Sequence, residues 1–109
     1  MSCQYRVLAR DDQIGRTLHF TDHPNLELYY QGYENHLCLS NYSNARCFWA
    51  GYLEVTFEID GQAFTIRNDQ TTPVTIQLDN DTYQITGCDF LVENRSREAT
   101  WLYFNIVQL

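Results

Sequence analysis

The chain contains no lysine, and all seven of its basic residues are arginine. With fourteen acidic residues, the formal net charge is −7 at neutral pH. Phosphate backbones and anionic membrane surfaces are bound largely through basic side chains, so an acidic, lysine-free chain is a poor partner for both. We therefore predict that this protein binds neither nucleic acid nor membranes.

Glycine and proline are also scarce, with five and two residues among 109. So few glycines leave no phosphate-cradling loop, and no linker, apolar signal core or bilayer-spanning run is apparent. No window shows a helical apolar stripe, whereas strand-forming residues are common, with eight Tyr and six Phe. The length and composition predict a single domain, residues 1–109, of the all-β class.

The clearest structural pattern lies in residues 53–67, where apolar and polar residues alternate on either side of Asp60-Gly61. Asp-Gly tolerates the positive φ angles of a type I′ turn, so the segment predicts a two-residue β-hairpin. The register brings apolar residues together on one face, and polar and charged residues together on the other. The predicted pairs are Phe57–Phe64 and Val55–Ile66 inside, and Thr56–Thr65 and Glu54–Arg67 outside.

Further turn signals recur roughly every 8–12 residues, the spacing of a sandwich or barrel. A turn at Asn80-Asp81 predicts a second hairpin that pairs Leu78 with Tyr83 and Ile76 with Ile85, and the loop 94–98 predicts a third. We expect an antiparallel β-sandwich of jelly-roll or immunoglobulin-like topology with about nine strands. A small closed β-barrel is the alternative.

Two groups of aromatic residues are candidates for a binding surface. Residues 101–107 are apolar on both faces of a predicted strand, so Trp101 and Tyr103 need cover from the 41–50 loop, a ligand or another subunit. A second group in residues 29–52 interleaves aromatics with Asn, Gln and Arg, a composition that suits a protein partner or a sugar. The predicted binding residues are Trp101, Tyr103, Trp49, Tyr52, Tyr42 and Arg46.

One resemblance suggests a metal site. His19, His23 and Glu27, flanked by Gly15 and Gly32, resemble the first motif of the cupin family. That resemblance implies a metal bound by these side chains inside a small barrel. However, the two His are four residues apart, whereas one residue separates them in the motif, and the second cupin motif is absent. We therefore predict no metal, no cofactor and no catalytic residues.

Cysteine usage bears on the cellular compartment. The four cysteines, at positions 3, 38, 47 and 88, form no CxxC pair, so we expect reduced thiols in a cytoplasmic protein. Three N-x-S/T sequences, at Asn41, Asn80 and Asn94, keep a secreted protein with its signal removed as the alternative. In that case Cys38 and Cys47 are candidates to close a loop.

The composition and patterns together favour a small, soluble, non-catalytic protein-interaction or assembly module that self-associates as a homodimer or higher oligomer. Its partner is then another protein, a second copy of itself, or both. The alternative is a carbohydrate-binding module or lectin with a sugar as ligand. A cupin-like metal-dependent enzyme ranks third.

Overall fold

The computed structural model describes residues 3–37, 51–93 and 99–109. Its strands form two four-stranded antiparallel sheets, so the all-β sandwich architecture is confirmed. Sheet A has the order β1-β8-β7-β6, and sheet B the order β2-β3-β4-β5. The strands are β1 (Tyr5–Leu8), β2 (Thr17–Phe20), β3 (His23–Asn35), β4 (Leu53–Ile59), β5 (Gln62–Arg67), β6 (Val74–Leu78), β7 (Asp81–Val92) and β8 (Thr100–Gln108), with a short 3₁₀ helix, Asp11–Gln13, after β1.

The β4–β5 hairpin confirms the sequence-based prediction in both its turn and its register. Asp60 and Gly61 have φ angles of 50° and 81°, as a type I′ turn requires. Every predicted cross-strand pair is present. Phe57 is fully buried, and its ring lies 5.9 Å from that of Phe64.

The β6–β7 hairpin has the predicted inner face but a different register. The chain turns at Asp79-Asn80, so Leu78 pairs with Asp81 and Ile76 with Tyr83. Asp79 has a φ angle of 52°, which Asp tolerates better than most residues, and this permits the tighter turn. The register differs by two residues, which leaves every side chain on the predicted face.

The strand count and topology differ from the prediction in part. The described residues contain eight strands, because bulges carry the chain through two places where the sequence indicated breaks: between Tyr30 and Gly32 in β3, and between Gly87 and Asp89 in β7. The predicted strand 46–50 and half of the predicted strand 35–40 lie outside the described residues. A jelly-roll or immunoglobulin-like topology is not confirmed. Within the described ranges no pairing closes the two sheets into a barrel, so that alternative is wrong.

The core lies between the two sheets and leaves two outer faces for function. Alternate residues of β4 and β8 point inward, and Phe57 of sheet B meets Phe104 of sheet A with ring centroids 5.9 Å apart. Gly87 allows a close approach, because a Cβ at this position would collide with the carbonyl oxygen of Arg67 at the end of β5. Among the described residues, no helix is long and apolar enough to cross a bilayer.

The expectation of four reduced thiols is wrong at two positions. Cys3, just before β1, forms a disulfide with Cys88 in the bulge of β7. The two residues are 85 positions apart in the sequence, and only the pairing of β1 and β7 with the same strand, β8, brings them together. Cys38 and Cys47 lie outside the described residues.

Candidate functional site

The outer face of sheet A is built around β8, which has a paired strand on each side. Leu102, Phe104 and Ile106 of β8 are buried in the core. The alternation of a strand therefore directs Trp101 and Tyr103 to the outer face. Both are half-buried, so the two predicted binding residues of this strand do lie together on one surface.

Two rows of side chains cross this face from β1 through β8 to β7. The register aligns Leu8, Trp101 and Leu91 in one row. Arg6, Tyr103 and Asp89 form the next row. We call these six outward side chains the Trp101 face: Arg6, Leu8, Asp89, Leu91, Trp101 and Tyr103.

Neighbouring strands partly cover Trp101. The guanidinium carbon of Arg6 lies 4.2 Å from the centroid of the Trp101 ring, a cation–π arrangement. The indole Nε1 of Trp101 donates a hydrogen bond to Oε1 of Glu93 at 2.9 Å. Part of the cover that was expected for Trp101 is therefore supplied by its neighbours Arg6 and Glu93. These two contacts hold the indole ring in one orientation.

The Trp101 face is apolar at its centre and charged at its sides. Leu91 is 44% exposed, beside the half-buried Leu8 and Trp101. A single exposed leucine is ordinary on a protein surface, but three apolar side chains in one row form a continuous patch. Arg6 and Asp89, both exposed, carry opposite charges on either side of Tyr103.

The disulfide and a small hydrogen-bond network border the face. The backbone N–H of Gln4 donates to Oδ1 of Asn105 at 2.7 Å, and the N–H of Ile106 donates to Oε1 of Gln4 at 3.1 Å. The amide nitrogen of Asn105 lies 3.9 Å from the sulfur of Cys88. These contacts and the bond from Cys3 to Cys88 tie the start of β1 to β8 and β7, which stabilises the alignment of the two rows.

The remaining predicted binding residues are not brought to this face. Tyr52 precedes β4 in sheet B, where the guanidinium carbon of Arg67 lies 3.7 Å from its ring centroid and the His36 ring lies 4.7 Å away. Arg67 also donates two hydrogen bonds to Asp69, which hold the pKa of that carboxyl below its usual value. Through these contacts, Tyr52 is part of a surface cluster on sheet B and not on the Trp101 face. Three predicted residues lie outside the described part of the chain: Trp49, Tyr42 and Arg46.

Sequence reasoning missed four members of the Trp101 face. Arg6 and Leu8 alternate with buried Val7, so a strand at residues 5–8 predicts that both side chains point outward. The sequence does not predict that they lie close to Asp89 and Leu91, because more than eighty residues separate β1 from that part of β7. Only the placement of β1 and β7 on opposite sides of β8 creates the patch.

A groove of about 460 Å³ lies beside Tyr29, which is 46% exposed, and is lined by residues of sheet B together with Leu78 of β6 in sheet A. Thr17 and Glu58 are the cross-strand neighbours of Tyr29, and Gln31 donates a hydrogen bond to Glu58. A second groove, of about 510 Å³, runs between the β4–β5 hairpin and β6. The groove beside Tyr29, which is the first of the two, is lined by Thr17, Asn25, Glu27, Tyr29, Glu58, Ile59, Asp60 and Leu78.

The residues of the cupin-like motif do not converge on one site. His19 is exposed on the outer face of sheet B, with its Nδ1 3.7 Å from Glu27. The His23 ring instead packs edge-on against Tyr83, with centroids 5.6 Å apart, and its Nδ1 is buried. In the described part of the chain, no three His, Cys, Asp or Glu side chains are grouped so that they could hold a metal.

No family model, curated protein or solved structure matches this chain. Its function must therefore be inferred from the geometry and chemistry of its own surfaces.

Proposed function

We propose that this protein is a non-catalytic interaction module that self-associates through the Trp101 face. The observation that carries this proposal is the row of Leu8, Trp101 and Leu91, an apolar patch across three strands with Leu91 44% exposed. Trp, Tyr and Arg dominate the energetics of protein interfaces, and Trp101, Tyr103 and Arg6 lie together here. A homodimer is the smallest closed assembly that buries this patch.

The charge of the two outer faces also favours sheet A as the contact. The outer face of sheet B presents Glu27, Glu54 and Glu58, with Arg67 as the cross-strand neighbour of Glu54. Two copies of a chain with a net charge of −7 repel each other, so an acidic face opposed to itself is unfavourable. On the Trp101 face, in contrast, Arg6 is opposed in sign to Asp89. Glu93, which accepts the hydrogen bond of Trp101, adds one further negative charge. This face is therefore less acidic than the outer face of sheet B, and it repels a second copy less.

The ordering of Trp101 in the isolated chain lowers the cost of association. Immobilising a free side chain at an interface costs about 0.5–1.5 kcal/mol. The indole ring is already held by Arg6 on its face and by Glu93 at Nε1. Less conformational entropy is then lost when a partner packs against it.

The positions of the histidines support a non-catalytic role. His19 lies beside Glu27, His23 packs on Tyr83, and His36 lies 3.2 Å from Glu34. A catalytic site needs such groups to converge in a pocket. These three histidines therefore do not form a shared acid–base or metal site.

The test of self-association is Trp101→Glu, measured by sedimentation velocity across the micromolar range. We expect a wild-type dimer and a monomeric variant whose far-ultraviolet circular dichroism is unchanged. Tyr29→Glu, which adds the same charge at an exposed ring on the outer face of sheet B, is the matched control and should remain dimeric. A wild-type monomer at all concentrations would contradict the proposal, as would equal dissociation of the control.

Carbohydrate binding is the second candidate, and the groove beside Tyr29 favours it. A sugar can stack an apolar face on this exposed ring while its hydroxyls bond to Asn25 and Glu58. The groove volume of about 460 Å³ lies in the range of small-ligand sites. An array of mono- and oligosaccharides tests this function: Tyr29→Ala should abolish binding, whereas Trp101→Glu should preserve it. No bound sugar on the array would remove this candidate.

The disulfide bears on the compartment in which the module works. Disulfides persist mainly in oxidising compartments, so the bond between Cys3 and Cys88 supports the secreted alternative over the cytoplasmic one. Asn80 of the Asn80-Asp-Thr82 sequence is exposed in the β6–β7 turn, where a glycan would meet no steric obstacle from the sheets. Glycosylation of Asn80 on expression in a eukaryotic secretory host is the expected outcome, detected by a mass shift that a glycosidase reverses.

A further inference from the structure

We propose that two copies pack face to face about a twofold axis that runs close to the direction of β8, so that Arg6 of each copy pairs with Asp89 of the other. This inference rests on the proposed self-association through the Trp101 face and specifies its geometry. It identifies the partner as a second copy of this chain and assigns the specificity to two equivalent ion pairs.

The register of sheet A makes the face self-complementary. Arg6 and Asp89 lie in one row on opposite sides of Tyr103. A half-turn about an axis along β8 exchanges the positions of β1 and β7 but leaves each row at the same position along β8. As a result, β1 of one copy lies over β7 of the other. Arg6 then faces Asp89 twice, as an isologous interface requires.

The same rotation also brings the apolar rows of the two copies into contact. Leu8 of one copy faces Leu91 of the other, and Trp101 meets the second Trp101 at the centre. A twofold axis in the plane of the face but perpendicular to β8 has the opposite effect, because it stacks β1 on β1 and β7 on β7. If that axis passes through the row of Arg6, then Arg6 faces Arg6 and Asp89 faces Asp89, which is repulsive. If it passes between the two rows, Arg6 faces Leu8 and no ion pair forms.

Sheet packing angles allow the ion pairs to form. Face-to-face sheets cross at about 30°, which places the twofold axis about 15° from the direction of β8. Because neighbouring strands are about 4.8 Å apart, the row on β1 then shifts by about 2.5 Å relative to β7 of the partner. The long side chain of Arg6 can span this shift. Its guanidinium carbon lies over the Trp101 ring, and a guanidinium in contact with an aromatic face still has N–H groups available for a carboxylate.

The size of sheet A allows a small dimer interface. Its strands β1, β8, β7 and β6 contain 4, 9, 12 and 5 residues, and each residue covers about 16 Å² of the sheet, because residues are about 3.4 Å apart along a strand and strands are about 4.8 Å apart. The resulting area is about 500 Å² per partner, or about 1,000 Å² for both, which is the lower limit for a specific interface.

The decisive experiment uses charge reversal and mixing. Arg6→Asp alone and Asp89→Arg alone each place like charges in both pairs, so each should raise the dimer Kd by about tenfold or more. An equimolar mixture of the two variants restores both pairs in a heterodimer, which should form with near wild-type affinity. Native mass spectrometry distinguishes the heterodimer from the homodimers by mass.

Matched controls separate this local effect from net charge. Arg16→Asp and Glu27→Arg make the same charge changes outside the Trp101 face, and they should leave the dimer Kd within about threefold of wild type. Circular dichroism establishes that each variant is folded.

The outcomes distinguish this inference from the proposed function. A monomeric wild type overturns both. A wild-type dimer that neither reversal weakens overturns the twofold arrangement and leaves self-association standing. Two weakened variants that form no heterodimer also overturn the arrangement, whereas selective heterodimer formation supports it.

Discussion

Replacement of Phe57 by alanine tests the core on which both outer faces depend. Phe57 is 0% exposed, and its ring lies 5.9 Å from Phe64 in the same hairpin, 5.9 Å from Phe104 in the other sheet and 6.2 Å from Tyr30. Phe→Ala substitutions in cores cost about 3–5 kcal/mol. A chain of 109 residues has a free energy of unfolding of about 5–15 kcal/mol. The variant should therefore lose about a fifth of its stability or more.

Urea denaturation monitored by circular dichroism measures this loss. For a slope of about 1.5 kcal/mol per molar urea, the midpoint should fall by about 2–3 M. Thr65→Ala, an exposed position on the outer face of the same hairpin, is the control and should cost less than about 1 kcal/mol. A loss below about 1 kcal/mol for Phe57→Ala would refute the assignment of this face to the core.

Four further outcomes are expected. Alkylation under non-reducing conditions, followed by mass spectrometry, should leave Cys3 and Cys88 unmodified and recover their linked peptide, whereas recovery of two alkylated thiols would show that the bond is absent. Burial raises the pKa of the Tyr30 hydroxyl, so wild type should lose stability as pH rises above about 10, and Tyr30→Phe should lose less; urea midpoints at about pH 9 and about pH 11 measure the difference. Gly87→Ala should lower the thermal midpoint, because its Cβ would collide with the carbonyl of Arg67, and an unchanged midpoint would mean that the two sheets are further apart there. Duplex DNA or RNA should not bind at physiological salt; binding that weakens steeply with added salt would contradict this expectation, which rests on the net charge of −7.

Local periodicity in the sequence determined which side chains point inward. The alternation around Asp60-Gly61 predicted both the turn and the register of β4–β5, since a two-residue turn leaves one pairing that matches Phe57 with Phe64. For β6–β7 the faces were right and the register was not. A two-residue slip preserves the alternation, so the hydrophobic pattern alone cannot detect it.

In the candidate site, the sequence predicted the residues on β8 but not those on the strands beside it. The apolar character of both faces of β8 predicted an unusual surface at Trp101 and Tyr103, and the structure places both on one outer face. Nothing near them in the sequence indicated that Arg6 and Asp89 lie on either side of Tyr103. That juxtaposition depends on which strands pair with β8.

The sequence by itself therefore determined the all-β class, the β4–β5 hairpin and the inward residues, because period-two patterning and turn chemistry act between near neighbours. Only the tertiary structure decided that β1 and β7 enclose β8, that Cys3 meets Cys88, and that the histidines of the cupin-like motif separate. These features join segments up to 85 residues apart. Their pairing is selected by the burial of one shared core between two whole sheets, a property that no local segment encodes.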